Sequence, residues 1–582
     1  MRLRPFTRRS FLKTAAGLGL ARRAFPQGMV SRNVQAQPRG KPSGLPFDAR
    51  FTDIARGAGL REPVIYGGVE NKRYPLEAVG CGCAFVDYDN DGWIDILLLC
   101  GSRLDGSAKG ASNRLYKNNR DGTFSDVTAK AGLLRSGWAS AVCVGDYNND
   151  GFDDLFITYY GQNVLYRNNG DGTFTDVTRQ AGLLHPGPRW GSGCAFLDYN
   201  RDGWLDLFVA NYFDFDLQHA PEFGSSQYCA WQGVPVHCGP RGFPMLPLSL
   251  YRNNGDGTFT DVSESSGIAK NHRGYAMTVA AADFDNDGWT DIFVACDSTP
   301  SFLFRNNHDG TFTDVGLESG VAVNEDGVEQ AGMGVAIGDY LLSGSLDILK
   351  THFTDDTSIL YKNMGDGRFE DATYQSGLGV ETRFISWGAG MADLDNDGLP
   401  DLFIATGGIY PEVAAKIPRY PMKTPRVVFR NLGGGKFEEL LAEAGPAIAE
   451  PHASRGCAFG DFDNDGDIDI LIVNLNEPPS LLRNDTSGKN HWLKVKLIGT
   501  HSNRSAIGAR ITVRYGERLQ TQEVLSQSSF YSANDLRLHF GLGSQTAADL
   551  EIRWPDGARQ TLANVRANQI LTVREPAAPR KN

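Results

Sequence analysis

Six nine-residue stretches rich in aspartate constrain this chain more than any other feature. The first is Asp87-Tyr88-Asp89-Asn90-Asp91-Gly92-Trp93-Ile94-Asp95. The pattern D-x-[DN]-x-D-G-x-x-D returns at Asp146 to Asp154, Asp198 to Asp206, Asp283 to Asp291, Asp393 to Asp401 and Asp461 to Asp469. A seventh copy, Asp339 to Asp347, has Leu341 and Ser343 where two of the oxygen-bearing side chains should stand. Alternate residues of a tight loop can aim their oxygens at one point, and a hard cation such as Ca²⁺ takes six to eight of them. Gly at the sixth position supplies the positive φ of the sharp turn.

The donor sets follow from the spacing, with side chains at positions 1, 3, 5 and 9 and a backbone carbonyl at position 7. They are Asp87, Asp89, Asp91 and Asp95 with Trp93; Asp146, Asn148, Asp150 and Asp154 with Phe152; and Asp198, Asn200, Asp202 and Asp206 with Trp204. The remaining three are Asp283, Asp285, Asp287 and Asp291 with Trp289; Asp393, Asp395, Asp397 and Asp401 with Leu399; and Asp461, Asp463, Asp465 and Asp469 with Asp467. This predicts about six Ca²⁺ sites, with the Asp339 loop empty. An EF-hand opens in a similar way but needs flanking helices and a Glu at position 12. Here position 9 leads straight into short β-rich apolar runs such as Ile96-Leu97-Leu98-Leu99 and Ile292-Phe293-Val294, so the loops join strands.

A second motif alternates with the first. Leu115-Tyr116-Lys117-Asn118-Asn119-Arg120-Asp121-Gly122-Thr123-Phe124-Ser125-Asp126-Val127 is one copy, with others at 165–177, 250–262, 303–315, 360–372 and, more loosely, 428–440. Strand, Asn/Asp/Gly turn and alternating strand make a β-hairpin. A period of mostly 52–59 residues holding about four short strands fits a propeller blade, and seven loops predict seven blades. Phe51-Thr52-Asp53 has no partner strand before it, and Leu481-Leu482-Arg483-Asn484 has none after it. Pairing the two would close the ring and remove its open edges.

These repeats resemble the FG-GAP/VCBS propeller repeats of integrin α-subunits and of the cartilage acidic protein family, over roughly residues 48–488. The resemblance implies a seven-bladed all-β propeller whose Asp loops bind Ca²⁺ within blades. From about Lys489 the repeat stops. Gly499-Thr500-His501-Ser502-Asn503-Arg504-Ser505-Ala506-Ile507-Gly508-Ala509-Arg510, His539-Phe540-Gly541-Leu542-Gly543 and Trp554-Pro555-Asp556-Gly557 resemble an ASPIC/UnbV domain. That resemblance covers 489–575 and implies a small β-sandwich, leaving 576–582 as a tail. Ser502, Asn503 and Arg504 are candidates for a polar binding loop.

The amino terminus reads as an address. Thr7-Arg8-Arg9-Ser10-Phe11-Leu12-Lys13, followed by a short apolar stretch, resembles a twin-arginine export signal. Val34-Gln35-Ala36 is a small-residue cleavage site, which makes 1–36 a signal and 37–47 a linker. The expected location is periplasmic or extracellular. The formal net charge of −12 becomes −20 once the eight basic residues of 1–36 are set aside. Residues 489–582 carry 14 basic and 7 acidic side chains, so the acidity concentrates in the repeats, where a cation would neutralise it. Such a surface excludes nucleic acid as a partner. No apolar run reaches the roughly 18 residues of a membrane span.

Nine cysteines leave at least one without a partner in the chain. Cys83, Cys143, Cys194 and Cys457 precede Asp loops and read as small core residues, whereas Cys229 and Cys238 lie in an irregular insertion and form a candidate disulfide. Long connections at 101–113, 212–248 and 408–426 fall on the face opposite the Asp loops. Variable loops on a rigid scaffold commonly carry function, which makes Tyr228, Trp231, His237 and Arg241 the ligand-face candidates. No nucleophile elbow, phosphate loop or metal-ligating His pair occurs. The expectation is therefore a monomeric scaffold that binds an extracytoplasmic protein or glycan, without catalysis. An exported enzyme with its site at the propeller axis is the alternative.

Overall fold

The computed structural model describes residues 31–577 apart from Lys109, Asn271, His272 and Leu441. The twin-arginine stretch therefore lies outside the described residues. The repeats form antiparallel four-stranded units, the first built from Cys83–Val86, Asp95–Leu98, Arg114–Asn118 and Phe124–Asp126. The Asp loop joins the first two strands, and the Asn/Asp/Gly turn joins the last two. Later units begin at Trp138–Gly145, Arg189–Leu197, Ala276–Ala282, Val335–Gly338, Ser386–Ala392 and Ser454–Gly460. These first strands pack side by side in chain order, and the last packs against the first, so the units form a propeller-like ring.

The last unit takes its fourth strand from the other end of the repeats. Phe51–Asp53 pairs antiparallel with Ser480–Asn484, Phe51 opposite Asn484 and Asp53 opposite Leu482. One departure from separate blades occurs. Arg189 and Trp190 pair with Gly161 and Tyr160, which joins the second and third units into one eight-stranded sheet.

A repeated asparagine explains why the units hold together. Asn118, at the end of the Leu-Tyr-Lys-Asn strand, donates its backbone N–H to Asp95 at 2.7 Å. Its side-chain amide donates to the Phe462 carbonyl of the neighbouring unit at 2.8 Å. Asn168, Asn253, Asn306, Asn363, Asn431 and Asn484 repeat this bond to the unit before them, at 2.7–3.0 Å. Each amide is buried, where a hydrogen bond left unmade costs about 1–3 kcal/mol. The ring is thus stitched at every junction, including the closing one.

The C-terminal unit has two sheets. Leu538–Gly543, His491–Ile498 and Gln569–Arg574 form one, with the last pair parallel. Arg518–Glu523, Arg510–Tyr515, Ala547–Arg553 and Arg559–Arg566 form the other. This unit sits on the Asp-loop face of the ring and sends a finger, residues 526–534, into its axis. Ser526 Oγ donates to Phe196 O at 2.8 Å, Cys83 N donates to Ser532 Oγ at 3.1 Å, and Val335 and Ser529 exchange backbone hydrogen bonds. Phe530 and Tyr531 are fully buried and stacked on each other, and Phe530 stands edge-on to Trp387. Gly82 is required beside them, because a Cβ there would come within 1.8 Å of Tyr531 O.

The 212–248 insertion caps the opposite end of the axis. Phe213 stacks on Phe243 at 4.4 Å, and Tyr212, Phe213 and Phe215 stand edge-on around Trp190. Cys229 and Cys238 are disulfide-bonded within it. Cys81, Cys83, Cys100, Cys143, Cys194, Cys296 and Cys457 are buried free thiols, the role read from their strand positions for four of them.

Candidate metal centres

Each Asp loop is folded by its own backbone before any ligand is considered. The Gly N–H at position 6 donates to the position-1 carboxylate, at 3.2 Å for Gly92–Asp87, 2.6 Å for Gly151–Asp146 and 2.7 Å for Gly398–Asp393. The position-7 N–H donates to the position-5 carboxylate, as from Trp93 to Asp91, Phe152 to Asp150, Trp204 to Asp202, Trp289 to Asp287, Leu399 to Asp397 and Asp467 to Asp465. Position 4 is left-handed in every copy, with φ of 56° at Asn90 and 63° at Asn286. Asn tolerates that conformation best among residues with a Cβ, a requirement the pattern left as x. Asn90, Asn149 and Asn464 then donate to the Gly carbonyl of the next loop, at Gly151, Gly203 and Gly92. The loops are laced along the face.

Four loops bring three carboxylates together with one oxygen each inside 4.8 Å: Asp87, Asp89 and Asp95; Asp283, Asp285 and Asp291; Asp393, Asp395 and Asp401; and Asp461, Asp463 and Asp465. In the other two the third position is an amide, and Asn148 and Asn200 donate to Asp150 and Asp202. Position 9 has a structural duty as well. Asp291 accepts from Asn306 N at 2.8 Å and Phe284 N at 3.2 Å, and Asp154, Asp206, Asp401 and Asp469 are held the same way.

The electrostatics fit a cation. Asp87 Oδ1, Asp89 Oδ1, Asp95 Oδ2, Asp283 Oδ1, Asp393 Oδ1 and Asp463 Oδ1 are buried without a hydrogen-bond partner, all in the four trios. Burial pushes Asp95 up to about 8. Burial, with Asp395 and Asp465 as like-charged neighbours, pushes Asp397 and Asp463 up to about 7. Asp146 and Asp198 are raised to about 7 for the same first cause. A divalent ion would relieve both the orphaned oxygens and the repulsion. The Asp339 loop differs in having Leu341 and Ser343 at its third and fifth positions, and Thr521 N of the C-terminal unit adds a further donor to its first carboxylate.

The C-terminal unit engages the first residue of several loops. Lys494 Nζ lies 2.6 Å from Asp461 Oδ2 with both side chains fully buried. Lys496 reaches Asp87 at 3.4 Å, and Arg510 and Arg553 both reach Asp283. Ser505 bridges Asp146 N and Asp153. The expected polar binding loop is internal: Ser502 and the backbone of 500–502 hold Glu575, and Arg504 N donates to Asn149. Among the ligand-face candidates, Trp231 and His237 are buried against Phe353 and Tyr410. Tyr228 is half-buried, and Arg241 is exposed and donates to Ser298 O.

Comparison with known proteins defines the class. A profile described as FG-GAP-like repeat matches residues 87–157, 146–209, 245–294, 283–350 and 339–404, and one described as ASPIC and UnbV matches 499–580. The chain is an FG-GAP repeat protein with a C-terminal ASPIC/UnbV domain. It is related to cartilage acidic protein 1. The Homo sapiens protein is 27% identical over 401 residues, 67% of this chain and 54% of that protein. The Xenopus tropicalis protein is 28% identical over 311 residues, 51% and 45% of the two chains. This chain spans about half the length of the curated relatives it matches. Among solved structures, an Agrocybe aegerita lectin described as recognising non-reducing terminal N-acetylglucosamine aligns at 18% identity and a TM-score of 0.35, over 69% of this chain and 87% of that one.

Proposed function

We propose that the protein is an exported, calcium-stabilised binding scaffold that engages a protein or glycan outside the cytoplasm. The observation that carries this reading is the set of four carboxylate trios with orphaned buried oxygens. The donor chemistry is all oxygen, which suits a hard cation rather than a transition metal. Asp87, Asp146, Asp198, Asp283, Asp393 and Asp461 with their partners at positions 3, 5 and 9 would hold about six ions, and the Asp339 loop would stay empty. Filling of the axis supports binding over catalysis. Phe530 and Tyr531 occupy it from one side, and the 212–248 cap closes the other.

A thermal melt of the mature protein in Ca²⁺ against EGTA, with bound metal counted in parallel, tests the reading. At about 10 mM Ca²⁺ and dissociation constants of order 10⁻⁴–10⁻³ M, each filled site adds roughly 1.4–2.7 kcal/mol. Several bound ions and a large upward shift are expected. No bound ion and no shift would return the carboxylates to the list of catalytic candidates.

A further inference from the structure

The face opposite the Asp loops carries a polar pocket that the calcium reading does not use. Asp355 and Asp356 lie on the 351–358 connection, both nearly inaccessible. Asp355 adopts a left-handed backbone, φ 60°, unusual for a residue with a Cβ. Arg419 and Tyr420 from the 408–426 connection hold its carboxylate at 2.5 and 2.7 Å. Asp356 accepts from Thr357 N at 2.8 Å and stands 3.6 Å from His352 Nε2, which itself accepts from Ala331 N.

What fills the pocket is an arginine from an extended segment. Arg32 donates Nε and Nη2 to Asp356 at 2.6–3.0 Å and Nη1 to Asp326 at 2.5 Å, a forked arrangement that matches carboxylate geometry. The segment is seated by backbone as well. Val34 N donates to Asp355 O and Gln37 N to Gly379 O, both at 2.8 Å, and Ser31 Oγ donates to Thr354 O at 2.9 Å. Beside it lies a small cleft of about 20 Å³, room for about one water, lined by Trp231, Phe353, Phe384, Tyr410 and Tyr420, none of it contributed by residues 31–37. Main-chain hydrogen bonds and a forked guanidinium pocket are the two features by which an extended arginine-bearing segment is held here.

We propose that this surface binds an arginine-bearing extended peptide, and that residues 31–36 are its internal occupant. Cleavage after Val34-Gln35-Ala36 would remove that occupant and leave Asp356 buried without its cation, open to the arginine of a partner. Retention of the segment would keep the surface closed. The proposal names the partner chemistry of the scaffold reading but not its metal chemistry, so a calcium melt and a peptide titration fail separately.

The test compares the full chain with one beginning at Gln37, using fluorescent acetyl-Ser-Arg-Asn-Val-amide and its citrulline analogue as probes. Saturable binding is expected for the arginine peptide on the shortened chain. Binding should be at least roughly tenfold weaker on the full chain, with citrulline, and in Asp356→Asn, as loss of one charge-assisted fork requires. Arg32→Gln in the full chain opens the pocket without truncation and should restore binding if the shortened chain misfolds. In the intact chain, trypsin should cut after Arg32 at least about tenfold faster in Asp356→Asn than in the parent. Equal binding of arginine and citrulline peptides, no binding to either opened chain, or unchanged trypsin cleavage would overturn the proposal.

Discussion

Replacing Lys494 by Met isolates the link between the C-terminal unit and the metal face. Lys494 Nζ and Asp461 Oδ2 are 2.6 Å apart, and neither side chain touches solvent. Without Ca²⁺ the substitution leaves a buried carboxylate beside Asp463 and Asp465 with no counter-charge. Breaking a buried pair in this way costs about 3–5 kcal/mol. With Ca²⁺ in the loop the ion supplies the charge, and only one charge-assisted hydrogen bond is lost, about 1.5–3 kcal/mol. The two losses should therefore differ by about 2 kcal/mol, so the variant binds Ca²⁺ at this site roughly 30-fold more tightly than the parent. Urea unfolding followed by tryptophan fluorescence, in EGTA and in Ca²⁺, gives the two losses, and calorimetric titration gives the affinity directly. Trp492 lies two residues away and reports on the same strand. Equal losses in both buffers would refute the idea that ion and ammonium share one carboxylate.

Asp285→Ala should lower the melting temperature in Ca²⁺ and change little in EGTA, whereas Asp291→Ala should lower it in both, because Asp291 also holds Asn306 N and Phe284 N. The pH dependence has a definite sign. Burial raises Asp95 to about 8 and Asp146 and Asp198 to about 7 in the folded chain, against about 3.9 unfolded. The folded state therefore binds more protons, and metal-free stability should fall as pH rises from about 4 to about 8. Excess Ca²⁺ should flatten that slope, and chemical denaturation at several pH values measures it. Replacing both Cys229 and Cys238 by Ser should speed proteolysis within 212–248 and leave the calcium-dependent melt of the ring in place, since the bond closes a loop only within the cap.

The parts of the fold legible in the sequence are those written locally. The Asp loops, the hairpins and the pairing of Phe51–Asp53 with Ser480–Asn484 each follow from turn chemistry, period and an unpaired strand at either end. The asparagine stitch was visible as a repeated letter but not as a bond, because its acceptor is a carbonyl of a different unit. Nothing periodic marks Ser526 to Asn534 as an axial finger. Its neighbours, Cys83, Val142, Phe196 and Val335, are hundreds of positions away and meet it only once the ring exists. Long connections drew attention to Trp231 and His237, yet aromatic residues in an insertion cover a core as readily as they greet a partner, and these two face inward. Arg32 lay inside a stretch read as an address, which hid its place against Asp356.

The strand that completes the last unit is made first. Leu481 N donates to Asp53 Oδ1 across 428 positions of chain, so Phe51–Asp53 leaves the ribosome long before its partner exists. At about 5–20 residues per second, roughly 20–90 s pass with the ring open at one seam. During that interval the growing protein carries two unpaired strand edges and a hollow axis, and it is then that it is exposed to misassembly. The axial finger is translated later still, so the interior is sealed only by the final part of the message. A ribosome that stalls before Ser480 would release not a smaller ring but an open arc.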